Sequence, residues 1–262
     1  MTAEDDYAAE LSKRLYSEVG AFFCNTQRGT PGICSVCTGP ATAPLCPQSR
    51  HAQEAYGTDL ADLVVPLAYA KGRMSPMHQS EHHVYSYKRQ PPAPKCVKDL
   101  KLMMAAATWL HGGCIASRIS PWQVVTFVPS ANRPVPQHPV KDLARQVCKV
   151  YPTVERILLG IGSGYDDEPH RAPRRDRFTV PYEYRPTIEG RHVVVVDDTW
   201  VSGDKSQSAA LALKTVGAAC VTILCATRWL RYDWADHRAL IDTLREPFDA
   251  MRCPVTGTTC PI

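Results

Sequence analysis

No stretch of this sequence approaches the ~20 consecutive apolar residues a helix needs to span a bilayer, so a membrane helix is not expected. The opening MTAEDDYAAE is acidic and no apolar signal-peptide core follows it, which points to a cytoplasmic protein. Charge of one sign is also missing: 30 Lys and Arg against 26 Asp and Glu leave +4, too little to mark a nucleic-acid binder. Internal repeats and low-complexity tracts are absent, which excludes solenoids and fibrous chains. What remains is a chain of 262 residues with 44% hydrophobic residues, enough to bury a sizeable core. Its length suits one main domain with a small appended module, divided here as 1–60 and 61–262.

Periodicity gives a coarse map. Residues 5–19 place Leu11, Leu15 and Val19 on one helical face. A stretch rich in cysteine and proline, about 24–50, follows without periodicity. LVVPLAY (63–69) reads as a strand, HQSEHHVYSYKR (78–89) as a helix stopped by PPAP, and 95–111 as a second helix with Leu100, Met103, Met104, Ala107 and Leu110 for a core. From Trp122 the pattern alternates: strand 124–129, helix 141–151, apolar run 156–162, strand 191–198, helix 204–216, strand 220–227. Alternation of this kind predicts an α/β fold, an open and mostly parallel sheet flanked by helices. Such sheets bind ligands at the carboxyl ends of their strands.

The chemistry concentrates at VVVVDDTWVSGDKSQSAALAL (193–213). Four valines make a strand buried on both faces, and Asp197 and Asp198 follow where it emerges. Carboxylates there need hydroxyls or a hydrated cation as partners. Thr199–Lys205 then forms a small-residue turn containing Gly203, whose amides and following helix start suit a phosphate. Asp204 with Gln207 three residues on has the spacing of a capping box.

Eleven cysteines sit oddly in a reducing compartment. Cys96, Cys114, Cys148, Cys220 and Cys225 read as small buried hydrophobes. Cys34-x2-Cys37 with Cys46 has half the spacing of a structural zinc site, and Ser49 stands where a second CxxC would end. The predicted zinc set is Cys24, Cys34, Cys37 and Cys46, with His51, Cys253 and Cys260 as alternatives for the remaining ligand. HRAPRRDRF (170–178) carries Arg171, Arg174, Arg175 and Arg177 against Asp176. Guanidinium groups suit pyrophosphate through bidentate donation, while a solvated basic loop or a nucleic-acid contact explains them too.

Val193–Val196, Asp197, Asp198 and Val201-Ser202-Gly203 resemble the signature by which type I phosphoribosyltransferases bind 5-phosphoribosyl-1-pyrophosphate (PRPP). Thr199 and Trp200 replace the usual aliphatic residues, and Lys205 replaces a small hydroxyl residue that Ser206 can supply. The cysteine module ahead of it, with Tyr85-Ser86-Tyr87-Lys88, resembles the competence-protein (ComF-like) branch, whose N-terminal element is zinc-ribbon-like. The resemblance implies that Asp197 and Asp198 hold the ribose hydroxyls, directly or through Mg²⁺. It implies that Thr199, Val201, Ser202, Gly203, Asp204, Lys205 and Ser206 cradle the 5′-phosphate. It places Ser130, Ala131, Asn132 and Arg133 at pyrophosphate, and makes the loop bearing Arg171, Arg174 and Arg175 a flap over the leaving group. Asp198 is the candidate to assist the acceptor. His82, His83 and Lys88 are explained equally well by a solvent-facing helix, and Trp200, Trp229 and Tyr232 by packing rather than by stacking on an acceptor.

The expected activity is Mg²⁺-dependent transfer of the 5-phosphoribosyl group to a nitrogenous or other small nucleophile, with structural Zn²⁺ and with a homodimer allowed. The alternative is a non-catalytic PRPP sensor or accessory protein linked to DNA uptake. A zinc hydrolase is disfavoured, because the cysteine set looks closed whereas catalytic zinc keeps an open position.

Overall fold

A computed structural model describes residues 3–133, 138–147, 154–166 and 171–260. Cys148 and the end of the expected helix 141–151, from residue 148 on, lie outside the described residues. Among those described, no helix is long and apolar enough to cross a membrane.

The strands are β1 (Cys24–Asn25), β2 (Leu63–Gly72), β3 (Val124–Phe127), β4 (Glu155–Arg156), β5 (Gly160–Ile161), β6 (Phe178–Thr179), β7 (His192–Trp200) and β8 (Cys220–Arg231). The α-helices are α1 (Ala3–Leu15), α2 (Pro47–Tyr56), α3 (Gln79–Tyr87), α4 (Pro94–Arg118), α5 (Pro139–Ala144), α6 (Arg185–Ile188), α7 (Asp204–Thr215) and α8 (Ala235–Thr243). Six strands form one sheet in the order β1-β2-β8-β7-β3-β4. All its pairings are parallel except that of β1 with β2. The expected open, mostly parallel sheet is therefore what the chain builds.

The valine run of β7 shows why one strand needs two covers. Successive side chains of a strand point to opposite faces. Val194 and Val196 join a core with Leu100, Met103 and Ile115 of α4, Leu15 of α1 and Leu143 of α5. Val193 and Val195 join a second core with Ala209, Ala210 and Leu213 of α7 and Ile188 of α6. That second core also contains Cys34, Cys37 and Cys46, so the cysteine turn packs directly against the sheet.

The apolar run 156–162 departs from expectation. Only β4 joins the main sheet, and β5 turns away to pair antiparallel with β6. The glycines explain the turn. A Cβ at Gly160 would stand 2.5 Å from the Thr179 hydroxyl, and one at Gly162 would stand 2.1 Å from the Asp176 carbonyl. The run is read better as a hairpin arm whose backbone approaches its partner closely.

Candidate active site at the end of the parallel sheet

β3 and β7 are parallel neighbours in register from Val124↔Val193 to Phe127↔Val196. β3 ends there, with the Val128 amide still donating to the Val196 carbonyl at 3.0 Å, and the two acids follow on β7. The trailing loops of the two strands are thereby delivered to the same edge. Between them lies a cavity of about 360 Å³ lined by Asp197, Asp198, Ser130, Arg133, Lys88, His138 and the turn from Val201 to Ser206. That size suits a small phosphorylated ligand.

The two acids differ in their surroundings. Asp198 is nearly buried and its Oδ1 lies 2.8 Å from the Lys88 ammonium. Asp197 is half-buried; its Oδ1 accepts the Asp198 amide at 2.8 Å and its Oδ2 accepts the Ser206 hydroxyl at 2.6 Å. Burial, with the neighbouring Asp198 charge, pushes the Asp197 carboxyl up to about 7. For Lys88, burial would lower the ammonium, but the attraction of Asp198 and Asp197 outweighs it and the net shift is upward. Lys88 follows directly on α3. The YSYK segment marked that position in the sequence, yet nothing there showed that the ammonium crosses to the acid pair.

β7 does not end at the acids. Thr199 and Trp200 stay paired with Thr227 and Arg228 of β8. The turn then closes on Gly203 at φ +79°, where a Cβ would meet the buried Trp200 ring at 2.0 Å. A left-handed conformation and a ring against the α-carbon both require glycine. Buried Arg228 donates to the Trp200 and Val201 carbonyls at 3.1 and 2.9 Å, pinning the turn from beneath. Trp200 and Trp229 are both buried and serve packing.

The capping box is not formed. Gly203 is the residue before α7, which shifts Asp204 to the first helical position. The Asp204 carboxylate instead accepts from Ser202 and from the buried Arg177 guanidinium, while the Gln207 side chain accepts the Ala61 amide at 2.9 Å. The first-turn amides of α7 have no intrahelical acceptors, which leaves them able to meet an anion. Ser202 and Ser206, expected as phosphate donors, have their hydroxyls turned to carboxylates. Lys205 extends over the Tyr165 ring at 5.2 Å.

Opposite the turn, Ser130 and Arg133 line the cavity, and the Arg133 guanidinium donates to the Lys88 carbonyl. Ala131 and Asn132 belong to the same loop but do not line the cavity. His138 was not singled out by sequence. It is 6% exposed, packs on Phe127, and neither ring nitrogen has a protein partner. Burial lowers its basicity, which favours the neutral imidazole, and it lines the same cavity as the acid pair.

The basic segment stands apart from the cavity. The Arg174 side chain pairs with Asp176, Arg175 pairs with Asp59, and Arg171 lines a different cleft with His51 and Trp200. In this conformation none of the three reaches the acid pair. Arg177 is the one tied to the turn, through Asp204.

Cys34, Cys37 and Cys46 converge as expected, with their sulfurs within 4.8 Å of one another. The Ser49 hydroxyl lies 3.5 Å from the Cys34 sulfur and 3.3 Å from that of Cys46, in the place a fourth ligand would take. Thiol–thiol hydrogen bonding favours a Cys34 thiolate and holds Cys37 as the thiol. Cys24 is not in this group. It packs beside Tyr69 and Leu230, with its thiol 4.0 Å from the Leu244 carbonyl. Cys253 and Cys260 are not in it either, and belong to another group with His111 and Cys114.

No family model matches the chain, and no curated protein matches it. Solved structures with a similar course include a phosphoribosyltransferase from Corynebacterium diphtheriae, at 15% identity over 53% of this chain and 82% of that one, with a TM-score of 0.31. Adenine phosphoribosyltransferase from Leishmania tarentolae matches at 12% identity over 52% and 72%, with a TM-score of 0.32. Orotate phosphoribosyltransferase from Mycobacterium tuberculosis matches at 13% identity over 73% and 99%, with a TM-score of 0.30. At such distance the likeness assigns no activity, which the cavity's own chemistry must supply.

Proposed function

We propose that the cavity binds PRPP with Mg²⁺ and that the protein transfers its 5-phosphoribosyl group to a nitrogenous or other small nucleophile, releasing pyrophosphate. The observation that carries this reading is the acid pair near the end of β7 lining one cavity together with the first turn of α7, with the β3 loop on its flank. The carboxylates of Asp197 and Asp198 are oxygen ligands suited to ribose hydroxyls and to a hard cation. The α7 amides and Lys205 suit the 5′-phosphate, and Ser130 and Arg133 suit the pyrophosphate. Bound Mg²⁺ would neutralise charge on the leaving group.

In the transfer, the bond from C1 to the pyrophosphate oxygen breaks and its electron pair departs on pyrophosphate. The acceptor's lone pair closes the new bond at C1. Positive charge on the ribose is stabilised by the two carboxylates, and positioning by the two loops supplies much of the rest. Lys88 occupies Asp198 in the free protein, so binding requires it to turn toward the incoming phosphates. Asp198 and His138 are then the groups placed to take a proton from the acceptor. The zinc reading keeps Cys34, Cys37 and Cys46 as a structural site supporting the turn below β7.

Calorimetric titration of PRPP with and without Mg²⁺, followed by pyrophosphate release over a panel of nucleobases and small heterocycles, tests the reading. Binding that needs Mg²⁺, with release in the presence of one acceptor class, is expected. In Asp197→Asn/Asp198→Asn, affinity should fall on the order of 100-fold, as two charged hydrogen bonds of ~1.5 kcal/mol each would give, with the circular dichroism unchanged. Wild-type affinity in that variant would overturn the site. Binding without release across the panel would favour a PRPP sensor.

A further inference from the structure

The second histidine–cysteine group lies far from the acid pair in the chain and plays no part in the chemistry above. Cys114 reads from sequence as core packing, and Cys253 and Cys260 as reserve ligands for the N-terminal cysteines. The fold instead gathers them around His111. His111 Nδ1 and the sulfurs of Cys114, Cys253 and Cys260 all lie within 4.8 Å of one another. His111 Nδ1 is 2.8 Å from the Cys260 sulfur, and the Cys114 and Cys260 sulfurs are 3.2 Å apart.

Each half of the group is built for presentation. His111 and Cys114 are three apart on α4, hence on one face of the helix. Cys253 and Cys260 flank a tight loop in which the Cys253 amide donates to the Thr258 carbonyl and the Gly257 amide donates to the Cys253 carbonyl, both at 2.8 Å. Gly257 sits at φ +81°, the left-handed turn that lets the chain return. The imidazole is oriented from behind: its Nε2 hydrogen is donated to the Ala250 carbonyl at 2.8 Å, leaving the Nδ1 lone pair aimed at the sulfurs. Orientation of a ligating histidine by a backbone carbonyl is a recurrent feature of metal sites. His111, Cys114 and Cys253 are almost wholly buried.

We infer that His111, Cys114, Cys253 and Cys260 form a closed structural zinc site that fastens the C-terminal segment onto α4. Three thiolates and one imidazole are a complete tetrahedral set for Zn²⁺. Bonds of ~2.3 Å to sulfur and ~2.0 Å to nitrogen put tetrahedral ligand atoms ~3.5–3.8 Å apart, so the two close pairs need to open by roughly 0.6–0.7 Å to admit the ion. A Cys114–Cys260 disulfide would use two sulfurs and leave the Cys253 thiol facing the pair, whereas an ion uses all four groups. The site also ties together distant parts of the chain. Arg28 donates to the Pro254 carbonyl at 2.6 Å and to the Ser35 carbonyl at 3.1 Å, joining the fastened segment to the Cys34–Cys37 turn.

The test is zinc content by mass spectrometry on the full chain and its variants. Cys253→Ser/Cys260→Ser should lose one equivalent of zinc per chain relative to wild type, whatever the N-terminal cysteines hold. Cys37→Ser/Cys46→Ser should keep this equivalent. If the first variant does not fold, His111→Cys in the Cys37→Ser/Cys46→Ser background decides. It should still bind Co²⁺, and its sulfur-to-metal charge-transfer band should intensify as three thiolates become four. Unchanged zinc in Cys253→Ser/Cys260→Ser, an unaltered cobalt band, or a Cys114–Cys260 disulfide in the native chain would each overturn the assignment.

Discussion

Asp197 is the residue at which fold and proton balance meet. Its unfolded carboxyl titrates near ~3.9, whereas in the fold it titrates at about 7 because of burial and the Asp198 charge. The folded state thus holds a proton that the unfolded state has released. Its contribution to stability is full below ~4 and is lost as pH rises through about 7. Thermal midpoints from pH 5 to 8 should therefore fall more steeply for wild type than for Asp197→Asn; parallel curves would contradict the shift. Ligand binding runs the other way. A cation needs the ionised pair, so Mg²⁺-dependent PRPP affinity should rise through the same interval. Sequence showed the two acids but not their inequality, which depends on Lys88 and Ser206 arriving from other elements.

At the scale of elements, the turn between β7 and α7 owes its shape to groups beneath it. Arg228 spends its guanidinium on the Trp200 and Val201 carbonyls and on that of Trp229 at 2.8 Å. Arg228→Ala should destabilise the fold by about 2 kcal/mol, for the two N–H groups of Nη1, shared among three carbonyls, at ~1 kcal/mol each, and should weaken PRPP binding beyond any effect on the acid pair. Denaturant melts and calorimetry on the same sample separate the two. The strands with continuous valine or aliphatic runs and the helices α4 and α5 were legible in sequence, because burial on both faces and helical periodicity are local signals, whereas α2, which begins inside the stretch that reads as lacking periodicity, was not. α4 runs to Arg118, well past His111, since Gly112 and Gly113 are carried by tertiary packing rather than by propensity. The β5–β6 hairpin and the Gly203 cap were not legible, because close backbone approach between distant segments decides them. The fourth cysteine of the N-terminal set was misplaced for the same reason: spacing along the chain does not report Cys24 crossing to the far side of β2.

For the whole molecule, strand order sets a constraint on assembly. β8 lies between β2 and β7, pairing on one side from Leu63↔Thr222 to Gly72↔Arg231 and on the other with the strand that carries the acids. A chain ending at residue 219 should therefore fail to fold, with rapid proteolysis and no cooperative melt, even though it contains every residue that lines the cavity. During synthesis the consequence is a long wait. β2 must stay unpaired, apart from the two-residue β1, until β8 emerges, after α3, α4, β3, β7 and α7 have been made. The nascent chain thus exposes an apolar strand edge while the intervening elements are made, and Leu63–Gly72 needs shielding until Arg231 has appeared.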